Sequence, residues 1–481
     1  MIGQLTFGES IDFLQSIETK HDLLQYTLDG WSVWCLLRFP LQLALVTPGT
    51  VPASRVPLGK RIELSAREAP RVVRPGGARY VVKTYSSGLV EREGEHYKDI
   101  WFDDLIRELG SVFKMEQVNN LMFAGRRARA LIPSDVTTSA IELLASLLAR
   151  VWRPSRAMIV AQVLSRVLQQ ETGGSILSEE DVALRLRLFL AHKLLYRRIL
   201  ASIRPRFLLV ADPSEHATIA AAKELGVTTV ELQHGGTTDR YHSGYSWTAY
   251  AIPHRSTMPI PDRLFLYGDH TKREVDEHGF WGDTIRVVGC PRVDQYRNRW
   301  VGPQADGPVV LLTTGASIAE TIAFMADFLR ATRDLRSLQL WVKLHPVYEA
   351  GPEPYLQAFQ GDDRVRVLSG SEDPSTFELL TRASIHVSVS SSCHYDALGL
   401  GIPTAILALP THEIVLPLHR AGHAMLARTP ADLVQIVSGW RSHRVPAAVS
   451  DYYFKPDSIR NMRTDLQHSV PEAVPPSSLP R

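Results

Sequence analysis

Short apolar runs alternate with helix-length amphipathic segments in the second half of the chain. Residues 206–212 form an apolar run that ends in an aspartate, and residues 215–225 have a helical pattern closed by Gly226. Residues 227–232 form the next apolar run, and a glycine directly after a helix commonly ends it. This order predicts a strand, a helix and a second strand, and a right-handed crossover makes the two strands parallel.

The same alternation continues to about residue 408. Two more strands are predicted at 262–268 and 285–289, and a new series begins at 309–317. Regular alternation of strands and helices is typical of a doubly wound α/β domain. The later elements are predicted as strands 339–344, 364–368, 384–389 and 403–408 and as helices 375–382 and 394–400.

The first 203 residues have a different pattern. Leucine and isoleucine recur at helical spacing through 139–203, which predicts a helical region, and residues 79–85 have the pattern of a strand. The apolar stretch 31–46 is interrupted by polar residues and is shorter than the roughly 20 residues that a membrane span needs. We expect it to be buried or interfacial, with peripheral membrane contact through Trp31 and Trp34 as the alternative.

These patterns predict the domain organisation. Residues 298–308 are polar and contain two Gly-Pro pairs, which favours a boundary there. The expected domains are an N-terminal one at 1–300, with a helical insertion at about 139–203 and a Rossmann-like part at about 205–297, a C-terminal one at 301–450, and a C-terminal helix with a disordered tail at 451–481.

Composition narrows the classes of protein. The chain has 481 residues, of which 44% are hydrophobic and 22% charged, and its net charge of +2 does not indicate a nucleic-acid partner. The three cysteines show neither zinc-ligand spacing nor a disulfide framework, and the N-terminus has no secretory signal pattern, so we expect the cytoplasm. Basic clusters at 126–129 and 150–156 are expected to be solvated helix faces, with an anionic acceptor or lipid surface as the alternative.

A histidine follows one of the predicted strands, at the sheet edge where ligands collect in parallel sheets. His234 comes after the strand 227–232 and is followed by two glycines, which leave room for a ligand near the backbone. Imidazole suits a general base, although a histidine held in its loop by local hydrogen bonds is the alternative. Asp239 and His242, in the same loop, are candidates to orient His234 or to contact an acceptor.

The second half offers anion-binding groups at three strand ends, namely Lys343 with His345, Ser391 with Ser392, and Thr314 with Gly315. Hydroxyls and N–H groups at a helix N-terminus bind anions, whereas helix capping by serine is the structural alternative. Several such turns on one edge of one sheet favour a phosphate-bearing ligand. Walker, zinc-protease and nucleophile-elbow motifs are absent, so we expect no metal and no cofactor beyond a substrate.

With these motifs together, the chain resembles bacterial GT-B glycosyltransferases of surface and capsular polysaccharide biosynthesis. The similar groups are capsule Kdo transferases, sialyl- and polysialyltransferases and teichoic-acid glycerophosphotransferases. The resemblance covers roughly residues 205–440. It rests on Gln233-His234-Gly235, Pro261-Asp262 with Tyr267-Gly268, residues 288–294, residues 343–346, and Ser390-Ser391-Ser392 with Asp396 and Gly401-Ile402-Pro403.

The resemblance implies an α/β fold of GT-B type, in which two Rossmann-type domains face a cleft and the N-terminal one carries a helical elaboration. In the family, a His-Pro histidine and paired serines contact the donor phosphate, which corresponds to His345, Ser391 and Ser392. The histidine of a His-Gly motif serves as the base in the teichoic-acid enzymes, which corresponds to His234. The sialyltransferases place an acid where this chain has Gln233-His234-Gly235, so their mechanism is not expected here.

The resemblance therefore implies a metal-independent glycosyltransferase that moves a sugar from a nucleotide-activated donor, expected to be CMP-linked, to a glycan or glycolipid acceptor. The acceptor would bind the N-terminal domain and the donor the C-terminal domain, at the inner face of the cell membrane and without nucleic acid. Three alternatives stay open: a polyol-phosphate transferase using a CDP-alcohol, a nucleotide-sugar 2-epimerase, and a non-catalytic assembly component.

Overall fold

The computed structural model describes residues 4–47, 57–73, 76–119, 124–174, 176–235, 242–297, 299, 306–315, 317–345, 351–369 and 374–468. These residues form two compact units. Unit 1 comprises the described parts of Met1–Leu266, Thr271–Val288 and Ile459–Arg481, and unit 2 comprises those of Tyr267–His270 and Gly289–Ser458.

The elements alternate along most of the chain. The strands are β1 (Thr27–Leu28), β2 (Trp31–Ser32), β3 (Tyr80–Tyr85), β4 (Leu89–Glu93), β5 (His96–Asp99), β6 (Val112–Gln117), β7 (Val136–Thr137), β8 (Phe207–Val210), β9 (Thr228–Leu232), β10 (Arg263–Leu266), β11 (Ile285–Val287), β12 (Val309–Thr313), β13 (Gln339–Lys343), β14 (Val365–Leu368), β15 (Ile385–Ser388), β16 (Thr404–Leu407) and β17 (Met425–Ala427). The α-helices are α1 (Phe7–His21), α2 (Cys35–Val46), α3 (Leu58–Val73), α4 (Asp103–Leu109), α5 (Ala124–Arg127), α6 (Ser139–Val151), α7 (Ser155–Thr172), α8 (Glu179–Ile203), α9 (His216–Lys223), α10 (Asp269–Val275), α11 (Pro291–Arg297), α12 (Ile318–Ala331), α13 (Glu353–Ala358), α14 (Thr376–Leu380), α15 (Cys393–Gly399), α16 (Leu416–Arg420), α17 (Pro430–Ser438), α18 (Ala447–Tyr453) and α19 (Ser458–His468).

Unit 1 is built on a seven-stranded sheet in the order β11-β10-β9-β8-β3-β6-β7. Every neighbouring pair is parallel. All side chains of β3 and β8 are buried, as expected for parallel strands covered by helices on both faces. Strand β8 pairs with β9 on one side and with β3 on the other. The sheet continues beyond β3 with β6 and β7, so residues 80–137 supply three of its seven strands.

Strands β6 and β7 were not predicted from the sequence. β6 carries Lys114 and Glu116, which are both buried. Lys114 Nζ lies 2.5 Å from Asp103 Oδ1, and Arg127 Nε donates to Glu116 Oε2 at 2.8 Å. These ionic residues interrupt the apolar run by which a buried strand is recognised, and they are tolerated because each has a charged partner.

The apolar stretch 31–46 lies in the core of unit 1. It contains the whole of α2, where Leu37 and Leu41 are fully buried, and Trp34 directly before the helix is also fully buried. Trp34 is therefore not available to contact a membrane, and Trp31 Nε1 donates to Glu224 Oε1 at 3.0 Å. In the described ranges of the chain, no helix is both long and apolar enough to cross a membrane.

Unit 2 is built on a six-stranded parallel sheet in the order β14-β13-β12-β15-β16-β17. Its first strand, β12, lies in the middle and is fully buried. The chain order reverses between β12 and β15, and ligands bind at such switch points in open α/β sheets. The predicted strands are all present, whereas β17 has only three residues and shows no periodicity that a sequence pattern can detect.

Two glycines allow close backbone approaches in unit 2. A Cβ atom on Gly268 would lie 2.2 Å from the carbonyl oxygen of Tyr453, and one on Gly289 would lie 2.1 Å from that of Lys455.

The chain leaves unit 1 after Val288 and re-enters it at Ile459. Most of the predicted 298–308 boundary and the predicted disordered end, 470–481, fall outside the described residues, so these remain predictions.

Candidate active site

A polar cavity of about 500 Å³ lies in unit 1 at the carboxyl ends of β3, β6, β8 and β9. Helices α6, α8 and α9 complete its wall, so the predicted helical insertion supplies part of the site. The lining side chains that carry polar or aromatic chemistry are Lys83, Tyr85, Ser87, Trp101, Gln117, Asn119, Glu142, His192, Tyr196, Asp212, Ser214, Glu215, Thr218 and His234.

His234 follows β9 by one residue and reaches this cavity from the sheet edge. Trp101 Nε1 donates to the His234 carbonyl oxygen at 3.2 Å and so holds the backbone. The ring Nδ1 is buried and has no hydrogen-bond partner among the described residues. Burial lowers the pKa of His234 although the Asp212 carboxylate opposes that shift, so the imidazole is neutral at pH 7.

A buried ion pair forms the floor of the cavity. Lys83 Nζ lies 2.5 and 2.6 Å from the two carboxylate oxygens of Glu215. Thr218 and Tyr85 also donate their hydroxyls to Glu215. Burial acts to lower the pKa of Lys83, but Glu215 together with Tyr196 and Glu142 outweighs it and the net pKa is raised, so Lys83 stays charged. Glu215 is therefore a fully engaged structural anion.

His234 also lines a smaller cavity of about 80 Å³ together with His242, His216 and Arg38. The structure thus places His234 and His242 at one cavity, whereas the predicted role of His242 stays a prediction. Gly244 N donates to His242 Nδ1 at 3.0 Å, and the ring stacks on Phe39 at 5.0 Å. Burial, with the positive influence of His234 and Arg38, lowers the pKa of His242 to about 3. Asp239 lies outside the described residues.

The N-terminal helix α2 anchors the loop that carries His242. The guanidinium of Arg38 donates to the carbonyl oxygens of Ser243 and Ser246 and lies 3.7 Å from the Trp247 ring centroid. Its Nε lies 2.5 Å from Glu18 Oε1, and both side chains are almost fully buried. The first 47 residues therefore position one wall of the smaller cavity.

In unit 2, the parallel strands β12 and β13 bring three predicted residues together. His345 N donates to Thr314 Oγ1 at 3.0 Å, and Thr314 N donates to the Lys343 carbonyl oxygen at 3.1 Å. Burial lowers the pKa of His345. Gly315 follows in the same turn, so four of the six predicted donor-side residues form one cluster at the carboxyl edge of the sheet.

The serine turn follows the neighbouring strand β15. Cys393 N donates to Ser391 Oγ at 3.2 Å, and Ser388 Oγ ties β15 to β12 through the Thr313 carbonyl at 2.7 Å. Ser392 is the N-cap residue of α15, but its side chain makes no capping hydrogen bond. Helix capping therefore does not account for this hydroxyl.

A basic cavity of about 580 Å³ lies in unit 2 beside the carboxyl ends of β16 and β17. His412, His419, Arg420 and Arg428 line it, and the sequence pattern singled out none of them. The predicted donor residues are not among its lining residues. In the parts of the chain that the structure describes, no group of three or more His, Cys, Asp or Glu residues could hold a metal ion.

Neither the family models nor the curated protein sequences contain a match to this chain. The solved UDP-GlcNAc 2-epimerase from Methanocaldococcus jannaschii superposes with a TM-score of 0.50 at 12% identity, over 81% of this chain and 99% of that one. The chain has a GT-B-like fold of two Rossmann-type domains.

Two further structures have lower scores. UDP-GlcNAc 2-epimerase from Neisseria meningitidis bound to UDP-GlcNAc has a TM-score of 0.49 at 13% identity, over 81% of this chain and all of that one. The wall teichoic acid polymerase TagF has a TM-score of 0.42 at 10% identity, over 86% and 98%. At such identities a likeness concerns the fold alone, so the particular family that the motifs suggest stays a prediction.

The site contains residues that the sequence pattern did not single out. Lys83, Trp101, Glu142, His192 and Glu215 come from segments far apart in the chain, and only the fold brings them to His234. Asp212, as the polar residue that ends an apolar run, is a sequence signal that points to this edge in addition to His234.

Proposed function

We propose that the chain is a glycosyltransferase that takes its sugar from a nucleotide-activated donor and uses His234 to remove the proton from the acceptor hydroxyl. The observation that carries this proposal is the imidazole itself. It lines the two cavities of unit 1 described above, and its buried Nδ1 has no hydrogen-bond partner among the described residues. A neutral imidazole with an uncommitted nitrogen is a proton acceptor.

The surroundings of His234 support such a role. Burial keeps the pKa of His234 below its ordinary value, so the base is ready at neutral pH. The Asp212 carboxylate at the same cavity favours the protonated ring, so it would stabilise the imidazolium that forms when the acceptor hydroxyl attacks. A base oriented and assisted by a nearby carboxylate is a recurrent catalytic arrangement.

The donor is proposed to bind unit 2, with CMP-sugars as the first choice. Thr314, His345 and Ser391 present hydroxyl, ring and N–H groups at the carboxyl edge of the sheet, and Lys343 and Ser392 lie beside them. Fixed donors of this kind stabilise a leaving phosphate without a metal. A thermal-shift panel of CMP, CDP, UDP, GDP and ADP tests which nucleobase the donor site prefers, since a ligand that binds only the folded protein raises the stability of that protein.

The decisive experiment compares His234→Ala with His345→Ala, using His254→Ala, a histidine of unit 1 that lines neither cavity, as the control. We expect His234→Ala to lower acceptor-dependent nucleotide release by about 10²- to 10⁴-fold while nucleotide binding survives. His345→Ala is expected to weaken nucleotide binding. Normal turnover in His234→Ala would contradict the base assignment.

A nucleotide-sugar 2-epimerase is the second candidate. Asp212, Glu142 and Glu215 line the same cavity, and acid–base carboxylates are what such a reaction needs. Glu215 is engaged by Lys83, which makes it the weakest of the three as a proton carrier. Conversion of the donor sugar without any acceptor, followed by NMR, would favour this candidate. Phosphate retained in the product would instead indicate a polyol-phosphate transferase.

A further inference from the structure

The cavity at His234 extends deep into the helical insertion. Glu142 of α6 and His192 of α8 line it on the side away from the sheet edge, and His192 Nε2 lies 3.2 Å from Glu142 Oε2. Gln117, at the end of β6, lines the same space and its side chain has no hydrogen-bond partner among the described residues. The insertion therefore contributes recognition groups to the site.

The lining suits a saccharide. Amide and carboxylate groups can exchange hydrogen bonds with ring hydroxyls, and Trp101, which is hydrogen-bonded to the His234 carbonyl oxygen, adds an aromatic side chain to the lining. A volume of about 500 Å³ lies within the range of small-ligand sites. The polar groups come from both the sheet and the insertion, so they surround a ligand instead of contacting one side.

The charges in the cavity do not balance. Of the described residues that line the cavity, Lys83 is the only lysine or arginine, whereas Glu215, Asp212 and Glu142 carry carboxylates. Lys83 pairs with Glu215, and Asp212 accepts hydrogen bonds from Ser214 N and Oγ. Glu142 pairs with His192 and is also attracted by the charges of Lys83 and Arg61. His192 compensates Glu142 only when it is protonated. An anionic group in this space would meet like charge, which costs binding energy wherever water is partly excluded.

We propose that the acceptor residue bound in this cavity is an uncharged or amino sugar and that Glu142 excludes acidic sugars. The role of the bound sugar as an acceptor rests on the proposed function. The binding preference itself can be measured without catalysis. Glu142 is a specificity residue that acts on the ligand through charge, and its loss should change selectivity more than the maximal rate.

The test is ligand-observed NMR of the full chain with three matched probes, methyl glucoside, its 2-amino-2-deoxy analogue and methyl glucuronide, without donor. We expect the glucuronide to bind about five-fold more weakly or worse. Glu142→Gln should close that gap, because it removes the charge and keeps the shape. Glu171→Gln is the matched control, since Glu171 pairs with His21 outside the cavity, at 2.7 Å.

Equal or tighter binding of the glucuronide to the wild type, or no binding of any probe, overturns the inference. A gap that persists in Glu142→Gln also overturns it. Failure of the proposed function has a different signature, namely selective sugar binding without acceptor-dependent nucleotide release.

An independent observation concerns the surface of α6 and the turn that follows it. Leu144, Leu147 and Val151 lie three and four residues apart and are exposed, with 79% of Val151 accessible. Trp152 continues this face in the turn, and Ile159 of α7 is 61% exposed. Spacing of this kind places apolar side chains on one stripe of a helix, which normally faces a core.

The charge of this segment is one-sided. Residues 143–170 contain no aspartate or glutamate, and they contain four arginines, at positions 150, 153, 156 and 166. Exposed leucine, valine and tryptophan flanked by arginine are the features of a surface that lies on an anionic membrane. Trp152 is of the residue type that prefers the headgroup level.

We infer that this face, formed by Leu144, Leu147, Val151, Trp152 and Ile159, docks unit 1 onto an anionic lipid surface. The favoured occupant is a bilayer because the apolar stripe and the four arginines complement acyl chains and acidic headgroups together. The expected membrane contact is thereby moved from Trp34, which is buried, to α6.

The test is co-sedimentation of the full chain with vesicles of phosphatidylcholine alone and with added phosphatidylglycerol. We expect binding only with phosphatidylglycerol, and about five-fold weaker binding for each arginine changed to glutamine. Leu147→Glu/Val151→Glu should abolish binding. Leu356→Glu, at an exposed leucine of unit 2, is the matched control and should bind as the wild type.

Absence of wild-type binding to the phosphatidylglycerol vesicles, or unchanged binding of the double variant, overturns the assignment. A wild-type dimer in light scattering that becomes monomeric in the double variant, without vesicle binding, shows instead that a second copy covers this face. Because Leu147 and Val151 are exposed and line neither cavity of the candidate site, nucleotide release with a water-soluble acceptor should be unaffected.

Discussion

Arg38 gives a direct measure of how strongly the N-terminal helices hold the loop beside the candidate base. Its guanidinium pairs with Glu18 at 2.5 Å, and the exposed fractions of the two side chains are 1% and 0%. Arg38→Met leaves Glu18 buried with only Trp34 Nε1 as a partner, at 2.8 Å, and frees the loop carbonyls. Removing one member of a buried ion pair costs about 3–5 kcal/mol, a large part of the roughly 5–15 kcal/mol that stabilises a domain.

The assay is urea unfolding combined with hydrogen exchange of the loop amides at 242–247. We expect the midpoint to fall and the loop to exchange faster. Lys20→Met is the matched control on the neighbouring helix α1, because Lys20 pairs with Glu171 at 2.8 Å but is 61% exposed. Such a surface pair contributes about 0–1 kcal/mol.

Two further results would support the same reasoning. Adding Glu18→Gln to Arg38→Met should recover about 1–3 kcal/mol, since the orphaned charge is removed. The deficit of Arg38→Met should also shrink as pH falls. Burial already raises the pKa of Glu18 in the wild type, and a raised folded-state pKa adds stability as the pH decreases. An Arg38→Met variant no less stable than Lys20→Met would refute the argument.

Three other predictions follow from the site and the core. Burial lowers the pKa of His234, and only the neutral ring accepts a proton, so kcat/KM should fall with acid only below pH 6.5. This acid limb should be absent from the residual activity of His234→Ala. An acid limb above pH 6.5 in the wild type would contradict the assignment. His394 is buried and its pKa is lowered to about 3, so the folded protein cannot take up the proton that the unfolded chain binds below pH 6.5. As the pH falls from 6.5 to 3, the free energy of unfolding of the wild type should therefore decrease by about 1.4 kcal/mol per pH unit relative to His394→Gln, measured by urea titration. A pH-independent difference would show that His394 is not buried as a neutral ring. Gly268→Ala should lower the thermal midpoint of unit 2, since its Cβ would lie 2.2 Å from the Tyr453 carbonyl oxygen, whereas Gly361→Ala, with no atom nearby, should show only the smaller strain of its positive φ.

The alternation of apolar runs and helical patterns was sufficient to predict the order of strands from 207 to 407. Strands β8, β12 and β16 are buried on both faces, so nearly every residue in them is apolar and the pattern is strong, whereas β13 and β14 are only partly buried. Parallel strands have their carboxyl ends at one edge of the sheet, so the sequence alone is enough to group Thr314, Lys343 and His345.

Strand β6 shows where the pattern fails. Lys114 and Glu116 are buried in the sheet and are stabilised by Asp103 and Arg127, which are 11 residues away in either direction. A sequence contains the charges but not their pairing, so the strand has the composition of a surface segment. Trp34 shows the reverse case, since an apolar tryptophan could have belonged to a core or to a membrane face.

The sequence by itself determined the class of fold and the strand ends at which His234 and His345 lie, because both depend on local periodicity. Only the tertiary structure decided what surrounds His234. Lys83, Glu142 and Glu215 reach it from β3, α6 and the turn before α9, and no local pattern encodes their meeting. Burial, and with it the protonation state of the imidazole, is a property of that whole assembly and not of the residue.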